Sequence, residues 1–430
     1  MLARLLSRVG LVTPEQRAWA WYDWANSVYF TTVITAVFPS FYATYAAKGL
    51  EPAQATARFG LITTISVLVV ALLSPILGAL ADYSGIKKRL LAIFMSIGVT
   101  SCALMVLIGE GDIMLASILF FAGNIGVSGS TVFYDSLLPH VAAARETDRV
   151  SSAGYAMGYI SGGVLLLINL WWILSPGTFG FADSVSAIRA SFVSVAIWWA
   201  VFSIPLFMKV PEPPAAQPGH GGFAIGAALT RLGQTLRDIR HYRHAFLLFV
   251  AMLLYQDGIQ TVIRMSSVYG AEVGIDRNAQ IAAFVMVQFV GIPFAFLFGA
   301  LGARIGTKRC IFIAIGVYIA ATTLAYFMTS VIHFFLLAFL VATVLGGSQA
   351  LSRALFARMI PQDRTSEFFG FYAVSERFAT IFGPALFTIS VMATGSSRTA
   401  ILAIVGLFIA GALVLSLVDE EEGTRAAASA

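Results

Sequence analysis

Polar and apolar residues segregate along this chain into long apolar runs separated by short polar joints. Twelve such runs fall at 20–45, 59–80, 90–109, 113–138, 151–173, 188–208, 245–269, 280–301, 310–328, 331–356, 368–393 and 399–418. About 30 Å of hydrocarbon divided by a rise of 1.5 Å per residue needs roughly 20 apolar residues, so each run predicts one spanning helix. The longest polar break, 210–244, divides them six and six and carries Pro211, Pro213, Pro214 and Pro218. The basic amphipathic stretch at its end, 222–243, is expected to lie along a membrane surface. The pattern predicts an all-α membrane protein with twelve transmembrane helices in two pseudo-symmetric six-helix bundles. The expected parts are a bundle at 1–209, a linker at 210–244, a second bundle at 245–418 and an acidic tail at 419–430, expected to be solvated.

Composition agrees with a lipid solvent. Only 11% of the 430 residues are charged and 58% are hydrophobic, against about 25% and 45–50% in a soluble domain. Two distant cysteines and five unpaired histidines suggest neither a disulfide framework nor a metal site. The basic residues carry topology. With the N-terminus placed in the cytoplasm, nineteen Lys and Arg fall on that face and five on the other, and Arg264, Arg353 and Arg377 lie inside runs. This bias sets both termini in the cytoplasm. The first twelve residues hold Arg4 and Arg8 but no apolar core, so the first run is expected to remain as a membrane helix rather than a cleaved signal.

The two halves echo each other. Gly78-Ala79-Leu80-Ala81-Asp82 leads to Gly85-Ile86-Lys87-Lys88-Arg89 after the second run, and Gly299-Ala300-Leu301-Gly302-Ala303 leads to Gly306-Thr307-Lys308-Arg309 after the eighth. Pro139, Asp148-Arg149 and Gly154 likewise match Pro361, Asp363-Arg364 and Gly370. Two echoes in one order indicate an internal repeat, a common transporter plan.

At the first of these loops the sequence resembles the major facilitator superfamily, whose signature reads G-x-L-A-D-x-x-G-x-[KR]-[KR]. Gly78, Leu80, Asp82, Gly85, Lys87 and Lys88 supply every element. Within that superfamily the chain is similar to the vacuolar, autophagy-linked amino-acid effluxer family and its bacterial relatives. Tyr22-Asp23-Trp24-Ala25-Asn26-Ser27, Asp257-Gly258-Ile259-Gln260-Thr261, Gly346-Gly347-Ser348-Gln349-Ala350-Leu351-Ser352-Arg353 and Glu367-Phe368-Phe369-Gly370 carry the likeness. The resemblance implies a solute transporter of the bacterial inner membrane whose first, fourth, seventh and tenth helices line a central cavity. The second loop departs from the signature at Ala303, which replaces its acid.

Charged groups inside hydrocarbon cost about 2.5–3.5 kcal/mol each on insertion scales, so they mark candidate sites. Helical spacing gathers Asn124, Ser128, Thr131 and Asp135 on one stripe, Asp257, Gln260 and Arg264 on a second, and Gly346, Gln349 and Arg353 on a third. Asp23 has Tyr22 beside it and Asn26 and Ser27 one turn on. Asp257, Arg264, Gln260, Gln256, Asp23, Asn26, Tyr22, Asn124, Gln349 and Glu376 are the candidate substrate or coupling residues. Asp257, twelve residues into its run, is the leading acid for coupling or for pairing with a charge on the substrate. Asp82, Gly85, Lys87, Lys88, Asp135 and Arg353 are the candidate gating residues, since Asp135 and Arg353 lie at similar depth in opposite halves. The bland readings are a headgroup-level cap for Asp23, a structural ion pair for Asp135, and close helix packing for the stripe Gly154, Gly158 and Gly162.

No GxxxxGK[ST] occurs, so an ion or solute gradient rather than ATP is expected to drive the cycle. The expected function is export of an amino acid or similar metabolite, with protons as candidate coupling ion, by a monomer that needs no cofactor. Nucleic acid is not an expected partner. A lipid scramblase and a membrane-embedded lipid-modifying enzyme are the alternatives from other classes.

Overall fold

The computed structural model describes residues 10–215, 242–378, 382–394 and 397–428. The first half is built from α1 (Pro14–Val28), α2 (Pro52–Ser84), α3 (Lys87–Leu104), α4 (Ile113–Ser136), α5 (Thr147–Leu174) and α6 (Ser184–Lys209). The second half comprises α7 (Arg243–Glu272), α8 (Arg277–Ile305), α9 (Thr307–Ala325), α10 (Val331–Arg358), α11 (Thr365–Phe378), α12 (Phe382–Thr394), α13 (Ser397–Ser416) and α14 (Glu420–Ala428). Among the described residues nine helices are long and apolar enough to span a membrane, or ten if the bent pair Ile401–Ser416 and Glu420–Ala428 counts as one span. The membrane-helix architecture is as expected. Most of the amphipathic stretch 222–243 lies outside the described residues.

The first run falls short as a single α-helix for a local reason. Thr13 caps α1 with its hydroxyl, which accepts the Gln16 amide, and the Gln16 side chain returns the bond to the Thr13 amide. Past Val28 the turns widen to a π-helix over Tyr29–Val37. Pro39 follows, and its missing N–H and bulky ring cannot continue tight i→i−4 bonding. The Thr35 hydroxyl donates to the Phe30 carbonyl at 2.8 Å, one residue beyond α-helical reach.

Small residues let α1 and α5 touch. A Cβ on Gly154, Gly158 or Gly162 would stand 2.3, 2.4 or 2.7 Å from atoms of Asp23, Ser27 or Thr31, so two rows spaced by four interdigitate. Between the halves, α2 packs on α11 and α5 packs on α8 and α10. Gly78 on α2 approaches the Ser366 carbonyl so closely that a Cβ would lie 2.1 Å from it. The expected solvated tail is corrected. α14 folds back on the second half, where Glu420 pairs with Arg358 at 2.7 Å and Glu422 with His244 at 3.0 Å, because its acids meet the basic ends of α10 and α7.

Candidate functional site

Arg353 on α10 inserts into the first half. It is 2% exposed, and Asp23 and Asp135 beside it are 8% and 5% exposed. Its Nη1 donates to Asp135 Oδ1 at 2.9 Å and its Nη2 to Asp23 Oδ2 at 3.3 Å. The Nε donates to the Ser151 hydroxyl and Nη2 to the Ser151 carbonyl, both at 3.0 Å. The Tyr134 hydroxyl also donates to Asp23 Oδ2, at 2.7 Å.

Three rings complete the surround. The guanidinium carbon lies 4.4 Å from the Tyr155 ring centroid, 4.8 Å from Trp19 and 5.7 Å from Tyr134. Trp19 stacks on Tyr134 at 4.5 Å and donates its indole N–H to the Tyr134 carbonyl, which fixes both planes. Cation–π contact contributes about 0.5–2 kcal/mol per ring, more as water is excluded. A planar, always-charged guanidinium suits this task, since one group can bridge two carboxylates and stack on rings as well. Sequence reasoning found Asp23, Asp135 and Arg353 and missed Trp19, Tyr134, Ser151 and Tyr155. Trp19 lies one turn before Asp23, and Tyr134 adjoins Asp135, so proximity to the acids was their only signal.

A second group of buried contacts joins the halves nearby, where the Ser366 hydroxyl meets that of Ser136, the neighbour of Asp135. Asp82 Oδ1 and Oδ2 accept the Ser366 and Glu367 amides at 3.1 and 2.8 Å, capping the first turn of α11. Lys87, 1% exposed, lies 2.7 Å from Asp82 Oδ1 and donates to the Thr365 hydroxyl at 2.5 Å. Gly85 ends α2 with φ 63°, the left-handed value that glycine adopts without strain and that turns the chain into α3. Lys88 works within its own half: its ammonium bonds the Phe207 and Val210 carbonyls at the end of α6, and its amide meets Glu212 at 3.0 Å.

The second half repeats that cap. Lys308 bonds the Ser416 and Val418 carbonyls, and its amide meets Glu420 at 3.4 Å. The acid absent at Ala303 is supplied from the other half. Asp148 on α5 accepts the Thr307 hydroxyl at 2.7 Å and pairs with Arg358 at 3.3 Å.

The remaining candidates are distributed more widely. Asp257 and Gln256 are buried on α7 and Gln260 is half-buried there, but the described partners of the Arg353 interlock do not include them. Asn26 is buried on α1, and the Tyr22 ring packs 4.8 Å from Tyr134. Asn124 is buried and donates to the Phe120 carbonyl of its own helix at 2.9 Å, while Gln349 is half-buried on α10. The side chains of Arg264 and Glu376 lie outside the described residues. Among the described residues no group of three or more His, Cys, Asp or Glu could hold a metal ion.

Two helical halves with an internal repeat, joined by buried ionic contacts at one end, define a major facilitator superfamily transporter. Solved structures of that fold superpose on nearly the whole chain. The human organic anion transporter MFSD10 (TETRAN) matches with a TM-score of 0.72 at 15% identity, over 94% of this chain and 99% of that one. The proton:xylose symporter XylE matches with a TM-score of 0.70 at 16% identity, over 96% of each chain. The family described as "Vacuole effluxer Atg22 like" matches residues 53–428, and the chain belongs to that family.

Among its relatives, the uncharacterized MFS-type transporter YxiO of Bacillus subtilis is 38% identical over 414 residues, 96% of each protein. Autophagy-related protein 22-1 of Aspergillus fumigatus is 25% identical over 317 residues, 66% of this chain and 51% of that protein. The chain thus spans about half the length of that fungal relative.

Proposed function

We propose that this transporter exports a small solute, an amino acid or a similar metabolite, by alternating access between two rocking halves with bounds near 1–209 and 245–418. The Arg353 interlock carries the reading. A buried guanidinium from one half held by two acids of the other is a contact that must break whenever that end opens. The nineteen-to-five distribution of Lys and Arg supports a cytoplasmic position for the interlocked end and for both termini. With that end shut, the solute faces the opposite side.

Tyr22, Asn26, Asn124, Gln256, Gln260 and Gln349, with Arg264 and Glu376 from the sequence pattern, are the proposed solute contacts. Asp257 is the proposed coupling acid, with a proton as the coupling ion. A carboxylate in hydrocarbon survives only paired or protonated, which is what a proton carrier exploits.

Counterflow in proteoliposomes tests the reading. Internal unlabelled amino acid should accelerate uptake of external label, and Asp257→Asn should abolish gradient-driven accumulation. No acceleration by any amino acid would reject the substrate class. Full proton-driven uptake by Asp257→Asn would remove that residue from coupling.

A further inference from the structure

We infer that the pocket now filled by the Arg353 guanidinium is a recognition site for the ammonium or guanidinium group of a transported solute, with Arg353 as its tethered occupant. The inference rests on the reading that the halves part at this end. The groups gathered round the guanidinium all belong to the first half: Trp19 and Asp23 on α1, Tyr134 and Asp135 on α4, Ser151 and Tyr155 on α5. The second half contributes Arg353, and the Ala350 carbonyl that accepts the Ser151 hydroxyl at 2.8 Å.

The chemistry of the surround is that of a cation receptor. Two carboxylates accept from separate nitrogens, a backbone carbonyl and a hydroxyl accept two further bonds, and three aromatic faces stand 4.4–5.7 Å from the cationic carbon. Trp19 and Tyr134 stack on each other at 4.5 Å, a contact made within the first half. When the halves separate, Arg353 withdraws with α10 and the two acids lose that counter-charge. Uncompensated carboxylates in a poorly solvated cage attract another cation of similar size and donor pattern.

The cycle follows from competition for one cage. A cationic group that reaches it from the interlocked end holds that end open. Returning Arg353 displaces the group toward the centre of the bundle and shuts the end behind it. The titratable and charged groups facing Asp23 and Asp135 are Arg353 from α10, Tyr22 and Tyr134 from α1 and α4, and Tyr155 from α5.

Competition gives an expectation that a merely structural Arg353 would not produce: weakening Arg353 should tighten binding of the cation. The apparent affinity scales with the fraction of molecules in which the cage is vacant. The test measures radiolabelled agmatine on the full chain in lipid nanodiscs by scintillation proximity, with propylammonium and propionate as competitors. Arg353→Gln should tighten agmatine at least tenfold and Arg353→Lys by a smaller factor, while Asp135→Asn and Tyr155→Ala should weaken it. Propylammonium should displace the label and propionate should not.

Unchanged or weaker binding in the Arg353 variants overturns the inference. If spin labels at 89 and 309 then show the interlocked end loosened, the proposed rocking stands without the cation site. If they show no change, both fail. Should Arg353→Gln not fold, Arg353→Lys decides, and so does the unaltered cage: saturating agmatine should lengthen the distance between those labels. No lengthening overturns the inference, as does a response to protons in the absence of cation binding.

Discussion

Asp82→Asn isolates the charge that caps α11. In the closed arrangement its two oxygens accept amides from Ser366 and Glu367 at 3.1 and 2.8 Å, and Lys87 lies 2.7 Å away. Lys87 belongs to the same half, so that pair survives opening, whereas the two amide bonds cross between halves and must break. A hydrogen bond to a charged group is worth about 1.5–3 kcal/mol. A carboxylate at a helix N-terminus gains up to about 2 kcal/mol more in a partly buried site. Asparagine keeps one acceptor and loses the charge, so the closed state should lose about 3 kcal/mol relative to the open one. At 1.4 kcal/mol per tenfold, that shifts the closed-to-open ratio by roughly two orders of magnitude.

The assay is electron–electron distance measurement between labels on Arg89→Cys and Arg309→Cys, both exposed at the interlocked end, with the buried Cys102 and Cys310 replaced by alanine. The long-distance population should rise sharply in Asp82→Asn. A change below threefold in Asp82→Asn would refute the claim that the α11 cap holds the end shut.

Gly154→Ala should open the same end without altering charge. Its Cβ would fall 2.3 Å from Asp23 Oδ2 and 3.3 Å from Arg353 Nη2, a strain of about 1–3 kcal/mol that thermal unfolding and the 89/309 distance should both register. Asp419 accepts the Glu422 and Glu421 amides at 2.9 and 3.0 Å, and these bonds, the Glu422 amide foremost, hold its carboxyl below the usual carboxylate range. The folded value is the lower one, so the cap should protect α14 fully above about pH 3.9 and lose that protection as pH falls through the folded value. Hydrogen exchange of 420–428, corrected for its intrinsic pH dependence, should show this loss, and Asp419→Asn should remove it.

The helices and their two-fold repetition were legible because hydrocarbon leaves one solution for a long apolar run, and because the loop at 78–89 returns at 299–309. The Asp135–Arg353 contact was legible for a narrower reason: they sit four and eight residues before matched prolines, hence at similar depth. Its third member was not. Asp23 joins because α5 carries glycine at 154, which lets α1 come close enough for the carboxylate to reach across, and linear spacing does not report such an approach. The aromatic surround escaped because tyrosine and tryptophan are common in membrane helices as plain packing. Trp198, which donates to the Trp24 carbonyl at 3.1 Å, shows that plainer role. The tail escaped because a run of acids reads as solvated unless the basic ends it meets are known.

The departure at Ala303 shows how the two interlocked loops share one electrostatic logic with different parts. In the first half the acid stands in the last turn of α2, at Asp82, and its partners across the halves are bare amides at the start of α11. In the second the loop has no acid, and the charge stands instead on α5, the helix whose start faces that loop, as Asp148. Its partners are the Thr307 hydroxyl and the Arg358 guanidinium. Either way a single buried carboxylate bridges the two halves, and a substituted loop position need not mean a lost contact. The difference lies in the counter-ion. Asp82 is paired with Lys87 of its own half, whereas the Asp148–Arg358 pair crosses between halves and must separate when the end opens. Arg358 also pairs with Glu420 of α14, within its own half, at 2.7 Å. On the proposed rocking, tail docking would leave Arg358 with a second acid when Asp148 departs, which would lower the cost of opening on the side of the molecule where the loop acid is absent.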